Sequence, residues 1–281
     1  LLLMSELLTD FLSVESQMTI IEGERSNYSQ TVRENELVII DRSGTSQDIV
    51  HSISASKLKP GVQISIPKSD LEIKVIAFYK NSILGRGTEQ QVQRLATHGA
   101  GAEMNILATP TKIDYAEDAI NTTTAYIELH YKKEVLGTWL VSNVIDERFP
   151  AQKFQAGEKD LEIAMRYKRH YYPFEIELLD FSHEKYPGTD IPFNYSSKVI
   201  AHHQEKDTDQ QALIYMNHPL RYNGLTFYQA SFMPDETATI LQVVRNPGWL
   251  LPYLSVLMMG AGMSFQFSLH FTKFLKKKAA Q

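Results

Sequence analysis

The sequence predicts a mainly β protein: a β-sandwich or barrel-like domain followed by one transmembrane α-helix near the C-terminal end. Two observations carry this prediction. Short segments rich in Val, Ile, Tyr and Phe recur between turn residues through most of the chain, which is typical of β-strands. Residues 246–272 then contain no Asp, Glu, Lys or Arg, and this run is longer than the roughly 20 residues that a helix needs to cross a bilayer.

The β prediction rests on hydrophobic periodicity. Residues 61–66 alternate apolar and polar side chains before Pro67, as a half-buried strand does. Comparable segments lie at 36–40, 71–79, 126–131, 161–166, 174–181 and 237–244. Outside the uncharged run, only residues 89–97 have a helical pattern of any size, and Gly99-Ala100-Gly101 after them predicts a flexible break.

Two strand segments resemble each other, residues 71–78 and 174–181, which leaves open a duplication into two β lobes. A boundary between such lobes would fall in the polar stretch 145–159. Residues 1–245 are therefore expected to form a β-rich domain of one or two lobes.

The uncharged run has the marks of a membrane span. Trp249 and Tyr253 suit a headgroup interface, and four lysines follow the run at positions 273, 276, 277 and 278. By the positive-inside rule, the tail 273–281 is cytoplasmic and residues 1–245 are extracytoplasmic. A buried core helix is the alternative, but such helices rarely run this long without a charge.

The N-terminal residues Leu1-Leu2-Leu3-Met4 lack the basic region of a signal peptide. We expect a fragment whose upstream membrane segments are missing, with an amphipathic leader helix over residues 3–12 as the alternative.

Composition excludes several classes of function. A net charge of −5 gives no basic surface for nucleic acid, and the absence of cysteine excludes disulfides, thiolate metal sites and a cysteine nucleophile. No nucleophile elbow, P-loop, dinucleotide fingerprint or metalloprotease helix is present. The sequence therefore gives no reason to expect an enzyme.

Histidines are the candidate haem or metal ligands. His202 and His203 adjoin a charged segment that predicts a solvated turn, and His218 precedes Pro219 in a second turn. His270 lies four residues after Gln266 on one face of the predicted span. Polar groups at membrane depth are costly and face a partner or cavity. His270 is thus a weak candidate for cofactor binding, although an interfacial histidine near the lysines is the favoured interpretation.

Another face of the span carries Gly260, Ser264 and Ser268. Small residues at this spacing let a second helix approach closely, so the stripe predicts lateral packing against another membrane segment.

The most distinctive stretch runs from Tyr172 to Gly248. It contains an F-x-I-x-L-x-D-F strand from Phe174, a Tyr-Pro-Gly turn at residues 186–188 and the triplet Tyr195-Ser196-Ser197. An N-x-P-L-x-Y-x-G-x-x-F-Y-Q-x-S run follows, and Asn223-Gly224 inside it predicts a tight hairpin turn. The run's motif residues are Asn217, Pro219, Leu220, Gly224, Phe227, Tyr228, Gln229 and Ser231.

In order and spacing, this stretch resembles the C-terminal part of the ResB family of cytochrome c biogenesis proteins, including the Asn246-Pro247-Gly248 entry to a final membrane helix. The resemblance implies a subunit of the bacterial cytoplasmic membrane with a periplasmic domain, a polytopic partner of the ResC type, transient haem held by the complex, and apocytochrome c as the recipient. The membrane histidines that the resemblance implies as haem ligands lie in upstream helices or in the partner, so none is transferred to this chain. A bitopic receptor that binds a sugar or peptide outside the cell is the alternative.

Overall fold

The structure is a computed structural model that describes residues 2–44, 47–86, 95–116, 119–185, 188, 192–203, 209–233 and 237–279. It confirms the predicted fold class, because the described chain is mainly β and ends in one long apolar helix. The strands are β1 (Val14–Ile21), β2 (Arg25–Asp41), β3 (Ile49–Ser54), β4 (Gln63–Ser65), β5 (Leu71–Tyr79), β6 (Ser82–Arg86), β7 (Ile106–Pro110), β8 (Thr124–Tyr131), β9 (Glu134–Ser142), β10 (Gln152–Ala156), β11 (Lys159–Lys185), β12 (Pro192–His203), β13 (Gln210–Tyr215), β14 (Leu220–Tyr222), β15 (Leu225–Phe232) and β16 (Ala238–Arg245). The helices are α1 (Leu2–Leu12), α2 (Gly99–Glu103), α3 (Asn143–Arg148) and α4 (Leu251–Ala279).

The chain divides into two compact units. The first unit contains Leu1–Gln30 and His170–Gln281, and the second contains Thr31–Arg169. The chain therefore leaves the first unit within β2 and returns to it within β11. The predicted boundary at 145–159 lies N-terminal to this return and inside the second unit.

The first unit contains a barrel-like sheet. Its strands follow the order β13-β12-β11-β2-β1-β16-β15-β14, to which β2 and β11 contribute the parts that belong to this unit. β13 also lies beside β14 and β15, so the two ends of the order come together. β1 pairs with β16 along its whole length, from Val14 opposite Arg245 to Ile21 opposite Ala238. The core beneath this sheet is aliphatic and aromatic, with Met18, Phe174 and Phe227 fully buried.

The second unit contains the four-stranded sheet β4-β5-β8-β9 and the two-stranded sheet β6-β7. Alternate side chains of β5 are buried, Leu71, Ile73 and Val75, as the period-two pattern of this segment predicts. They pack with residues of β2 and β8, such as Leu37 and Ile127, in one core. The apolar residues of this alternating segment therefore face the core, and the polar residues between them face away from it.

One local prediction is corrected in the second unit. Most of the predicted helix 89–97 lies outside the described residues, but Leu95–Thr97 are not helical, and α2 begins at Gly99, where a flexible break was predicted. The backbone N–H groups of Thr97 and His98 both donate to the Thr138 carbonyl, at 2.8 and 3.1 Å. These bonds hold the segment extended beside β9, so helical hydrogen bonding starts only after it.

α4 is long and apolar enough to cross a membrane, over Leu251–Lys276. It begins later than residue 246 because Asn246–Leu250 form a turn, in which the Gly248 N–H donates to Asn246 Oδ1 at 2.9 Å. Pro252 lies in the first turn of the helix, where its missing N–H costs little. α1 packs against α4, and its Leu3 and Phe11 side chains are exposed.

Candidate functional site

The motif run folds as a hairpin in the first unit. β14 and β15 pair with Tyr222 opposite Leu225, which leaves Asn223 and Gly224 as a two-residue turn. Both have positive φ, 48° and 75°, as the favoured hairpin turn requires. The predicted tight turn is confirmed.

A second turn precedes this hairpin and contains Asn217 at a φ of 64°. Tyr215 and His218 exchange backbone hydrogen bonds of 2.9 and 3.3 Å across it. The exposed His218 ring stacks on the Tyr215 ring, with centroids 4.0 Å apart. His218 is thus a turn residue, as the sequence indicated. Pro219 follows it, and Leu220 then enters the core.

Gln229 of the motif belongs to a ring of neutral polar groups. Its Oε1 lies 2.7 Å from Ser197 Oγ and its Nε2 donates to Thr239 Oγ1 at 2.8 Å. Ser197 Oγ and Thr239 Oγ1 are also 2.8 Å apart. Ser197 and Thr239 are fully buried. The two hydroxyl groups and the Gln229 amide N–H supply one donor for each of the three contacts. This neutral ring therefore satisfies its buried polar atoms without a charge.

The remaining motif residues divide between core and surface. Phe227 is fully buried and meets Phe174 edge to face at 6.2 Å between centroids, and Phe174 meets Tyr222 in the same way at 5.0 Å. Tyr228 and Ser231, by contrast, are exposed on β15. β15 has a bulge between Gln229 and Ser231, which lies between these two exposed residues. The motif residues therefore form a hairpin turn at Gly224, contribute Gln229 to the neutral ring and place Phe227 in the core.

The second set of predicted residues lies on α4. A Cβ added to Gly260 would have no atom within 4 Å, and Ser268 Oγ donates to the Ser264 carbonyl at 2.8 Å. Ser264 and Ser268 are exposed, and Gly260 is half-buried. Gln266 Nε2 donates to His270 Nε2 at 3.0 Å, so the predicted pair at i and i+4 is in contact. No described residue of another element forms a hydrogen bond or ion pair with His270.

His202 and His203 end β12, and the segment 204–207, for which a solvated turn was predicted, lies outside the described residues. Both ring nitrogens of His202 face carboxylates: Nε2 is 2.8 Å from Glu177, and Nδ1 is 2.9 Å from Asp209. Among the described residues, no cluster of three or more His, Asp or Glu side chains is arranged to hold a metal ion.

One carboxyl group in the second unit has a strongly shifted pKa. Burial raises the pKa of Asp146 from 3.8 to about 6, against the opposing effect of its hydrogen bonds. Asp146 Oδ2 accepts from the backbone N–H groups of Met165 and Ser142, and Oδ1 accepts from Gln152 Nε2. This carboxyl joins α3 to β9, β10 and β11, and sequence reasoning missed it because a single Asp after a strand has no distinguishing pattern.

Comparisons with known proteins agree with the resemblance found in the sequence. Residues 137–240 match the model of the ResB-like family. The chain is also 27% identical over 164 residues to Protein NrfI of Wolinella succinogenes. That alignment covers 56% of this chain and 18% of the relative, so the chain spans less than a fifth of that protein.

The family match covers the end of the second unit and most of the β-strands of the first, including the whole hairpin and neutral ring. ResB-like proteins are components of cytochrome c biogenesis. By its motif and these two matches, this chain is similar to the ResB-like family over residues 137–240.

Proposed function

We propose that this chain is part of a membrane-bound cytochrome c assembly subunit, which works with a ResC-type polytopic partner to deliver haem to apocytochrome c. The observation that carries the proposal is the family match over residues 137–240, which is followed directly by a helix able to cross a membrane. In this proposal haem is a transient cargo of the complex and the chain performs no catalysis.

The proposed location is the bacterial cytoplasmic membrane, with the β units in the periplasm and the tail after α4 in the cytoplasm. The lysines at positions 273, 276, 277 and 278 support this orientation. Reporter fusions after residue 281 and within residues 100–130 should report opposite sides of the membrane. Signals from the same side would refute both the span and the orientation.

The function is tested by deleting the gene in its host and staining membrane proteins for covalent haem. We expect the c-type cytochromes to disappear while their apoproteins are still made, and the intact gene to restore them. Normal cytochromes together with loss of uptake or sensing of a sugar or peptide would instead favour a bitopic receptor.

Contact with the partner is proposed along the stripe of Gly260, Ser264 and Ser268. Lipid provides no hydrophobic drive for helices to associate, so close packing must supply much of the attraction. Gly260→Leu with Ser264→Leu should still insert but recover several-fold less partner in a pull-down at equal membrane levels. Gly262→Leu, on a different face of α4, is the matched control. Equal recovery from all variants would mean that the stripe faces lipid.

A further inference from the structure

His98 of the second unit has an unusually well-defined position for an exposed side chain. Its ring stacks on Trp139, with centroids 5.0 Å apart and planes 24° apart. Its Nδ1 lies 2.9 Å from Thr97 Oγ1, which also accepts the Thr138 N–H at 2.8 Å. The ring is therefore fixed by stacking on one of its faces and by a hydrogen bond to Nδ1.

The neighbouring strand leaves room for this ring. Gly137 of β9 has a φ of 147°, and a Cβ at this position would lie 2.1 Å from His98 Nδ1. A side chain here would thus displace the imidazole. Thr97 and Gly137 both border the Nδ1 side of the ring. In the described part of the chain, Nε2 has no hydrogen-bond partner, which leaves that nitrogen for a ligand.

His98 lines a cavity of about 660 Å³. The cavity wall is largely apolar and includes Met104, Leu136, Phe149, Pro150 and Phe154. Phe149 and Met104 are 51% and 37% exposed. Lys153 and Glu103 are the charged residues of the lining. Exposed aromatic and thioether groups around an oriented imidazole form a surface suited to a flat apolar ligand.

The chemistry of the lining restricts which metal-bearing ligand could use this imidazole. A bare ion needs several protein ligands, and the described residues contain no cluster that supplies them. A planar macrocycle brings four nitrogen ligands of its own and needs one axial histidine with apolar contact on its face. A hydrogen bond to the second imidazole nitrogen is the usual means of orienting such a histidine. Lys153 can pair with carboxylates at the edge of a macrocycle.

We propose that the cavity beside His98 is a haem-docking site, with His98 Nε2 as an axial ligand of the iron. In the tautomer that this requires, Nδ1–H donates to Thr97 Oγ1, and Nε2 presents its lone pair to the metal. The proposal rests on the proposed function for the identity of the ligand. Its position in the second unit separates it from His270, the candidate that the sequence suggested.

The test uses the full chain purified into lipid nanodiscs and titrated with ferric haem, with empty nanodiscs as the blank. We expect saturable binding with a shifted Soret band. His98→Gly should weaken binding at least tenfold and lose the shift, and added imidazole should restore the spectrum. Imidazole rescue separates a lost axial ligand from a misfolded unit, because a small molecule cannot repair misfolding.

Two matched variants sharpen the result. His51→Ala removes another second-unit histidine outside the cavity, and His270→Ala removes the membrane candidate; both should bind haem like wild type. Phe149→Ser should weaken binding several-fold and keep the shifted band. The proposal is overturned if wild type shows no saturable binding above the blank, or if His98→Gly keeps the wild-type spectrum. Either result leaves the cytochrome phenotype of the gene deletion standing as a separate test of the proposed function.

Discussion

Two buried polar sites, one in each unit, are satisfied in different ways. In the first unit, Ser197, Gln229 and Thr239 form a ring of neutral hydrogen bonds. At a site in the second unit, an ion pair satisfies the buried groups instead. Glu36 Oε1 lies 2.8 Å from Arg166 Nε, and 4% and 15% of the two side chains are exposed. Neutral networks are insensitive to pH and salt, whereas buried charges must keep their partners. We therefore expect the Glu36–Arg166 site to be the more sensitive of the two to loss of a single partner.

The largest expected effect comes from breaking the buried ion pair. Arg166→Leu leaves the Glu36 carboxylate buried without its guanidinium, at a cost of about 3–5 kcal/mol in unfolding free energy. Trp139 and Trp249 are the two tryptophans, so urea unfolding followed by fluorescence in a Trp249→Phe background reports on the second unit alone.

The adjacent pair of Lys168 and Glu34 provides the control for that experiment. It has a similar distance, 2.6 Å, but the two side chains are 36% and 60% exposed. Lys168→Leu should cost less than about 1 kcal/mol. If the two substitutions had equal effects, burial would not be what makes the Arg166 pair important.

A smaller loss is expected from the neutral ring. Gln229→Leu leaves the Ser197 and Thr239 hydroxyls with one partner fewer, at a cost of about 1–3 kcal/mol. Hydrogen exchange of the β15 and β16 amides would measure this loss within the first unit. Gln242→Leu removes an amide that donates to the exposed Glu15 carboxylate at 2.9 Å, and it should change exchange little. A loss that varied with pH would contradict the neutral character of the ring.

The hairpin turn tests the backbone of the first unit. Gly224→Val places a β-branched residue at a φ of 75° and should cost about 1–2 kcal/mol. No atom lies within 4 Å of a Cβ at this position, so the loss would come from backbone strain and not from a clash. Gly224→Asn should lose less stability than Gly224→Val, because Asn tolerates this backbone conformation. Hydrogen exchange of β14 and β15 would distinguish the two variants.

The pH dependence of the second unit gives the smallest effect. Burial raises the pKa of Asp146 to about 6, so the folded state holds this proton more tightly than the unfolded state does. Acidification should therefore stabilise the fold, and the contribution is lost as pH rises through the folded pKa. From about pH 7.5 to about pH 5 we expect a gain of about 1 kcal/mol from this group.

Asp146→Asn should remove that gain. The difference between the wild-type and variant unfolding curves, followed through Trp139, isolates the contribution of Asp146 from those of other titrating groups. A pH-independent difference would show that Asp146 is ionised in the folded protein throughout this range.

Local patterns allowed much of the fold to be predicted. The segment predicted at 71–79 is β5 itself, because one face of it is buried and the other is not. The Asn223-Gly224 turn and the long uncharged run were predictable from equally local signals, namely residues that tolerate positive φ and an apolar length that could span a bilayer. The segments predicted at 161–166 and 174–181, however, are parts of one 27-residue strand, β11. The polar residues between them resemble a loop, although β11 passes there from one unit to the other.

The histidine beside Trp139 could not be found in this way. Its position depends on Gly137 and Trp139, about 40 residues along the chain, whereas the sequence next to it predicted a helix over 89–97 and a flexible break after it. Pairing between distant segments leaves no periodic signal in either one. The motif residues of the hairpin, in contrast, lie within a single short run and could be identified together.

The pairing of β1 with β16 has a consequence for the order in which the chain can fold. All residues of the second unit, Thr31–Arg169, are contiguous, so its core can close as soon as that stretch has been synthesised. Val14 pairs with Arg245, so β1 can pair with β16 only after nearly all of the remaining polypeptide has been synthesised. During that interval the β1 edge and the apolar face around Met18 have no partner. Exposed edges of this kind are prone to aggregation. The protein therefore has a built-in period of vulnerability during biosynthesis, which ends only when the last strand before α4 arrives.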